Sequence, residues 1–138
     1  MGGLITDFIL KILIALIVAL ILHELTHLLV ILYYKIPIKA IIMTKWTAIG
    51  FLVDNEKYMR DRKKLIFLHL LPLIWCLIIF INLNEPFLFV FPLVNIFGGI
   101  GDIYYFTKYI TLPVDKRIEW ANRSDEKIRK SIIWIKEI

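Results

Sequence analysis

Apolar residues are gathered along this chain into three long runs, and the polar residues fall mostly between them. The runs cover residues 12–34, 65–83 and 87–109, and each is close to the about 20 mostly apolar residues that a helix needs to cross a bilayer. The first run is longer than the apolar core of a signal peptide, so we interpret it as a true span. We predict three transmembrane helices within one membrane-embedded domain, residues 1–138.

The loop between the first two runs, residues 36–53, has a different pattern. β-Branched and aromatic residues form two apolar stretches, and Thr44, Lys45, Trp46 and Thr47 lie between them. Two such stretches around a short polar segment are typical of paired strands. We predict a short β-hairpin that lies at the membrane surface.

The last segment, residues 113–138, is predicted to lie along the membrane interface. Ser124 is suited to cap the N-terminus of a helix, and two acidic residues follow it in the first turn. Ile128, Ile132 and Ile135 then recur at a spacing that places them on one helical face. We predict an amphipathic helix in this tail.

Composition supports a membrane protein, and the distribution of basic residues indicates how the predicted spans are oriented in the membrane. Hydrophobic residues make up 59% of the chain, above the about 45–50% of soluble domains, and the mean hydropathy is +0.75. Apart from Lys11, every basic residue lies between residues 35 and 64 or from residue 108 onward. Because basic loops stay on the cytosolic side of a membrane, we predict a multi-pass protein of the cell membrane with its N-terminus outside and its C-terminus in the cytosol.

The net charge of +5 is thus explained by membrane orientation and by contact with the lipid bilayer. It is not a signature of nucleic-acid binding, and we expect no nucleic-acid partner. The predicted fold class is an all-α membrane protein with three transmembrane helices, a short cytosolic β-hairpin-like loop and a C-terminal amphipathic helix.

The strongest chemical signal is an H-E-x-x-H pattern near the end of the first span, formed by His23, Glu24 and His27. Histidines at positions i and i+4 share one helical face, so both imidazoles can reach one Zn²⁺. Glu24 beside them can serve as general base toward water. The alternative is that these are polar residues without a function. An ionisable group costs about 2.5 kcal/mol or more at the centre of a span, so such residues are rare there unless they have a function. Three so close together indicate a functional site.

Asp102 is the candidate for a third metal ligand, because a catalytic zinc site normally has three protein ligands. It is the only carboxylate within the last span. His27 precedes Lys35 by eight residues and Asp102 precedes Lys108 by six. At the helical rise these spacings place the two side chains about 12 Å and about 9 Å from the same edge of the membrane. We expect both to lie at one depth.

Asn95 precedes Asp102 by seven residues and lies within about 20° of the same helical face. It is a candidate for hydrogen-bonding a ligand side chain or for positioning a substrate backbone. Gly98, Gly99 and Gly101 lie between the two and allow close helix approach. These glycines are compatible with two interpretations. One is helix packing alone, and the other is a close approach that the metal site requires.

Two further residues in the second span have simpler interpretations. His69 lies about one turn inside the cytosolic edge, where an amphipathic ring is tolerated, and we favour an interfacial position over a ligand role for it. Cys76 is the only cysteine, so it has no partner for a disulfide within the chain and is interpreted as a packing residue.

The order of these motifs resembles the site-2-protease class of intramembrane metalloproteases. It resembles more closely a group of small zincin membrane peptidases catalogued as a domain of unknown function. The motifs of that group occur here as His23 to His27, Leu70 to Pro72, Asn95 with Gly101 and Asp102, and Leu112 with Pro113. One departure from site-2 proteases is that glycine precedes the aspartate here instead of following it.

This resemblance implies a bound Zn²⁺ cofactor with His23, His27 and Asp102 as its ligands and Glu24 as the catalytic base. We therefore predict a zinc metalloprotease, an intramembrane endopeptidase that hydrolyses a membrane protein or peptide substrate within or near the bilayer. One alternative is a non-catalytic membrane adaptor, or pseudoprotease, that binds zinc, and another is a zinc hydrolase of lipids or other amides. A pure zinc-binding protein would not need Glu24. Neither the substrate's identity nor the oligomeric state has a signal in the sequence.

Overall fold

The computed structural model describes residues 2–45, 49–81 and 83–138. Within these residues the chain forms α-helices, two 3-10 helices and a small sheet. In chain order they are α1 (Gly2–Tyr33), β1 (Ile38–Thr44), β2 (Gly50–Val53), α2 (Asn55–Tyr58), α3 (Arg62–Leu70), a 3-10 helix (Leu71–Ile81), a short 3-10 helix (Pro86–Phe89), α4 (Val90–Thr111), α5 (Val114–Arg129) and β3 (Ile132–Glu137).

Three helical segments are long and apolar enough to cross a membrane, and they coincide with the three predicted spans. They are Gly2–Tyr33, Arg62–Ile81 and Pro86–Thr111. The first begins earlier than residue 12, because most of the residues before it are apolar and continue the helix. The outward faces of all three expose large hydrophobic side chains, which suits contact with lipid.

The second span changes its helical form near its start. It is α-helical up to Leu70 and continues as a 3-10 helix from Leu71. Pro72 lies at this change, and a proline removes one i to i−4 hydrogen bond and crowds the preceding turn. The carbonyl group that loses its α-helical partner in this way is that of Leu68.

Small residues allow the spans to pack closely. Ala15 and Ala19 of α1 are buried against Phe91 of α4. A Cβ atom placed on Gly99 of α4 would lie 2.8 Å from Leu73 Cδ2 of the second span. Gly99 therefore permits an approach that any side chain would obstruct.

The predicted hairpin is confirmed, and it belongs to a three-stranded antiparallel sheet. The strand order is β2-β1-β3, and Ile41 of β1 pairs with Phe51 of β2. Trp46 and Thr47, in the predicted turn, lie outside the described residues. Ile49 and Phe51 share a cavity wall with Leu20 of α1, and Leu20 lies about 20 Å from the Tyr33 end of the helix. The hairpin thus extends along the flank of α1, and its position relative to the membrane surface stays a prediction.

The predicted helix in the C-terminal tail is confirmed, but its bounds differ from the predicted Ser124 to Ile135. Helix α5 begins earlier, at Val114, and ends at Arg129, and the residues after it form β3. Strand β3 pairs with β1, with Ile135 opposite Ile42. β-Branched and aromatic residues favour a strand here. If the segment formed a surface helix instead, the backbone groups on this edge of β1 would lose the partners that β3 provides.

A buried arginine joins α5 to the rest of the chain. Arg117 Nη1 donates to the carbonyl oxygen of Met59 at 2.6 Å, and Nη2 donates to that of Leu112 at 3.1 Å. Burial lowers the pKa of this guanidinium. These bonds fix the turn between α2 and α3 against the corner between α4 and α5, next to the largest cluster of buried side chains.

Candidate metal centre

Helix α1 presents its two histidines to a single carboxylate. The rings of His23 and His27 lie edge to face with centroids 5.0 Å apart. Each Nε2 atom lies 3.2 Å from the same oxygen, Oδ2 of Asp102 on α4. The ligand atoms of the three side chains all lie within 4.8 Å of one another. The structure therefore brings together the three residues that the sequence nominated as metal ligands.

The other ring nitrogen of His23 is held from behind by Asn95. His23 Nδ1 lies 2.9 Å from Asn95 Oδ1, and Asn95 Nδ2 donates to the carbonyl oxygen of Phe91 at 2.8 Å. Since the amide nitrogen is engaged in that second bond, the amide oxygen is the acceptor and Nδ1 carries the proton. In the neutral ring the lone pair of His23 then resides on Nε2, which points toward Asp102.

His27 is oriented in the same way by a backbone group. Its Nδ1 lies 2.7 Å from the carbonyl oxygen of Leu68, and a carbonyl can only accept, so Nδ1 carries the proton. This is the carbonyl left without an α-helical partner by Pro72. Ligating histidines usually donate their second nitrogen to such a group, which fixes the tautomer and the ring plane.

Asn95 lies behind the candidate ligand His23. Its side chain contacts that ligand, and the residue has 0% exposed surface. It is therefore placed to support His23 from the interior of the protein. A substrate-positioning role for Asn95 stays a prediction.

A cavity of about 280 Å³ lies next to the three candidate ligands. Its lining includes His23, Glu24, His27, His69 and Asp102. Glu24 is half-buried and is not a member of the ligand group. It therefore borders the space beside the ligands, where a general base would have to lie.

Strand β2 forms another wall of this cavity, through Ile49 just before it and through Gly50, Phe51 and Val53. Within the described part of the chain β2 is an end strand and pairs with β1 alone. A backbone that can accept a further strand is thus placed beside the histidines.

A second cavity, of about 250 Å³, lies on the other side of Glu24. Its lining is apolar apart from that carboxylate. The lining residues are Leu20, Ile21, Leu25 and Leu28 of α1, with Ile49 and Phe51 of the hairpin and Glu24. Glu24, Ile49 and Phe51 line both cavities. They form the boundary between the polar site and an apolar groove.

His69 lies in the wall of the candidate metal centre, and the interfacial position favoured for it stays a prediction. Its side chain is 11% exposed, and Nδ1 lies 3.8 Å from Asp102 Oδ1. Its ring centroid lies 5.5 Å from that of Tyr109. It is outside the three-residue ligand group.

Trp75 is a contributor that the sequence did not single out. Its Nε1 donates to Thr26 Oγ1 at 2.8 Å, and that hydroxyl donates to the carbonyl oxygen of Leu22 at 2.7 Å. The bond ties the H-E-x-x-H turn to the second span. The sequence signal for this contact was a tryptophan inside an apolar run. A buried indole N–H usually finds an acceptor, so a polar partner on a neighbouring helix could have been expected.

The glycines of α4 differ in their surroundings. A Cβ atom on Gly98 would lie 3.9 Å from His23 Cε1, whereas one on Gly101 would meet nothing within 4 Å among the described residues. Gly98 and Gly101 line the polar cavity. Of these three glycines only Gly99 lies where an added Cβ would be crowded, because a Cβ on Gly98 would make an ordinary contact with His23.

Comparison with known proteins gives one match. No curated protein and no solved structure matches the chain. A family model described as "putative zincin peptidase" matches residues 16–116, a range that includes the two histidines, Glu24 and Asp102. The relation to site-2 proteases stays a resemblance of motifs. Since the match covers most of the chain, the protein belongs to the putative zincin peptidase family.

Proposed function

We propose that this protein is a zinc-dependent endopeptidase that hydrolyses peptide bonds within or next to the lipid bilayer. The observation that carries the proposal is the convergence of two imidazole nitrogens on one carboxylate oxygen, with Glu24 on the same cavity. Family membership supports the peptidase part of the proposal, and the apolar spans support the membrane part.

The donor set fits zinc. With both Nδ1 atoms donating elsewhere, His23 Nε2 and His27 Nε2 present lone pairs to the negatively charged Asp102 Oδ2. With neutral imidazoles, three acceptors that face each other are suited to hold a cation between them, and two imidazoles with one carboxylate suit zinc. These three side chains would hold the ion. When bound at such a site, zinc acidifies water and polarises a carbonyl oxygen.

Glu24 supplies the proton transfer. Its carboxylate accepts a proton from the attacking water and donates it to the amide nitrogen as the carbon–nitrogen bond breaks. Such general acid–base assistance contributes about 10²–10⁴ in rate. The half-buried position beside the candidate ligands supports this role.

Strand β2 is suited to hold the substrate. A peptide bond inside a helix has its carbonyl engaged in a hydrogen bond, so a transmembrane substrate must become extended before cleavage. A segment added to the free edge of β2 would gain backbone hydrogen bonds in that extended form. Because β2 lines the cavity next to His23 and His27, its edge would deliver the segment to the site.

The apolar groove supports access from the bilayer. Leu20, Ile21 and Leu25 are exposed on the outer face of α1, where a span would meet lipid. An apolar segment could move from lipid past Ile49 and Phe51 to Glu24 without crossing a charged surface. The proposed orientation places the N-terminus outside and the sheet with α5 in the cytosol, as the basic residues favour.

The decisive experiment compares the wild type with Glu24→Gln. Both proteins are purified in detergent, zinc content is measured, and cleavage of a transmembrane reporter is followed. We expect about one zinc per chain in both and cleavage in the wild type alone, since glutamine keeps the shape but accepts no proton. Glu85→Gln, an exposed position in the link between the second and third spans, is the matched control and should cleave normally.

Two results would contradict the proposal. Near wild-type cleavage by Glu24→Gln would remove the assigned base. Zinc binding by both proteins with no cleavage of any membrane reporter would favour the alternative, a non-catalytic zinc-binding adaptor.

A further inference from the structure

His69 is buried beside the metal centre without satisfying its own polar atoms. Within the described part of the chain, both ring nitrogens are buried and neither has a hydrogen-bond partner. Buried polar groups are nearly always hydrogen-bonded, because leaving them unpaired is costly. A histidine left in this condition on the wall of a candidate active site points to a partner gained when the site is filled.

The geometry around His69 identifies that partner. Its Nδ1 lies 3.8 Å from Asp102 Oδ1, while Asp102 Oδ2 faces both other histidines. The ring packs against Tyr109, which limits its movement. Asp102 Oδ1, the carboxylate oxygen that neither His23 nor His27 contacts, is therefore the candidate acceptor for His69 Nδ1.

We propose that His69 is a positioning residue for Asp102, an inference that rests on the proposed zinc site. In the filled site His69 Nδ1–H donates to Asp102 Oδ1 and keeps Oδ2 turned toward His23 and His27. The distance needs to shorten only from 3.8 Å to the about 3.0 Å of an ordinary hydrogen bond.

This role differs from that of a fourth ligand. The ligand atoms of His23, His27 and Asp102 lie within 4.8 Å of one another, and no atom of His69 belongs to that group. Carboxylate ligands are themselves usually hydrogen-bonded, and loss of such a partner typically lowers metal affinity by about 10–100-fold. With this bond, each of the three candidate ligands would be oriented by one partner, namely Asn95, Leu68 and His69.

Three substitutions test the geometry. Asparagine places an amide N–H near the position of Nδ1, glutamine places one near the position of Nε2, and leucine fills the space without a donor. Zinc affinity is measured in detergent by competition with a chelator, and the visible spectrum of the cobalt form reports on the ligand geometry. Thermal unfolding of each zinc-free variant establishes that it is folded.

We expect His69→Leu to lower zinc affinity about 10–100-fold and to alter the cobalt spectrum. His69→Asn should recover affinity to within about threefold of the wild type, whereas His69→Gln should resemble the leucine variant. Wild-type affinity in His69→Leu would overturn the proposal, and so would recovery by glutamine and not by asparagine. Failure of the wild type itself to bind zinc would instead contradict the proposed function.

Discussion

The carbonyl oxygen of Leu68 accepts a hydrogen bond from His27 Nδ1 at 2.7 Å. In a regular α-helix this carbonyl would bond the amide four residues later, but that residue is Pro72, which has no N–H. The proline of the second span thus frees a backbone acceptor for a candidate ligand in the first. It explains in physical terms why a proline lies at this point.

Replacing Pro72 with alanine is expected to weaken zinc binding by up to about tenfold. The restored amide N–H would compete with His27 for the Leu68 carbonyl and leave the imidazole free to turn. Zinc affinity by chelator competition measures the effect. Pro92→Ala is the matched control, because its i−4 carbonyl, that of Leu88, is remote from the candidate ligands. Equal affinities in the two variants would contradict this role of Pro72.

Asn95→Leu is expected to lower zinc affinity about 10–100-fold, because His23 Nδ1 would lose the acceptor that fixes its tautomer. Asn95→Asp keeps an acceptor at that position and should retain more zinc than the leucine variant. The measurement also separates the two roles proposed for this residue. A substrate-positioning role would leave zinc affinity unchanged and raise KM in the cleavage assay.

Gly99→Ala is expected to destabilise the folded protein by about 1–3 kcal/mol, the usual cost of overpacking a close contact. The added Cβ would lie 2.8 Å from Leu73 Cδ2. Thermal unfolding in detergent measures the change, and adding Leu73→Ala should remove most of the clash. Gly101→Ala serves as the control, since a Cβ there meets nothing within 4 Å among the described residues. Similar losses in both single variants would contradict the packing argument.

The stability of the folded protein should depend on pH through Asp125. Burial raises the pKa of this carboxyl, although Asn55 Nδ2 donates to it at 2.7 Å. The folded state therefore binds the proton more tightly than the unfolded state. The stabilisation is complete below the unfolded pKa of about 3.9 and is lost as the pH rises through the raised folded pKa.

Asp125→Asn should abolish this dependence. Relative to the variant, the wild type should lose stability as the pH is raised from about 4 toward neutrality. Unfolding followed at several pH values provides the measurement, with Asp115→Asn, an exposed site on the same helix, as the control. A constant difference between wild type and Asp125→Asn at all pH values would contradict the prediction.

The proposed orientation predicts opposite labelling of two introduced cysteines. In a Cys76→Ala background, Glu85→Cys should react with an impermeant reagent applied from outside the cell. Glu126→Cys should react only after the membrane is opened, because the basic segments hold that side in the cytosol. Labelling of both sites from one side would refute the three-span topology.

Features that depend on neighbouring residues could be predicted from the sequence alone. Hydropathy over a window of residues identified three candidate spans, because the energy of placing a helix in lipid is a sum over its own side chains. The four-residue spacing of His23 and His27 places both imidazoles on one face of α1. The two β-branched and aromatic stretches on either side of Lys45 were enough to predict the β1–β2 hairpin.

Which distant groups meet depends on the tertiary fold. The segment after Arg129 carries a helical pattern of isoleucines, but the open edge of β1 provided backbone partners, and Ile132–Glu137 became a strand. In the same way, the burial of His69 and the pairing of His27 with the Leu68 carbonyl depend on how the second span packs against α1. Such contacts join residues far apart in the chain, and no local periodicity encodes them.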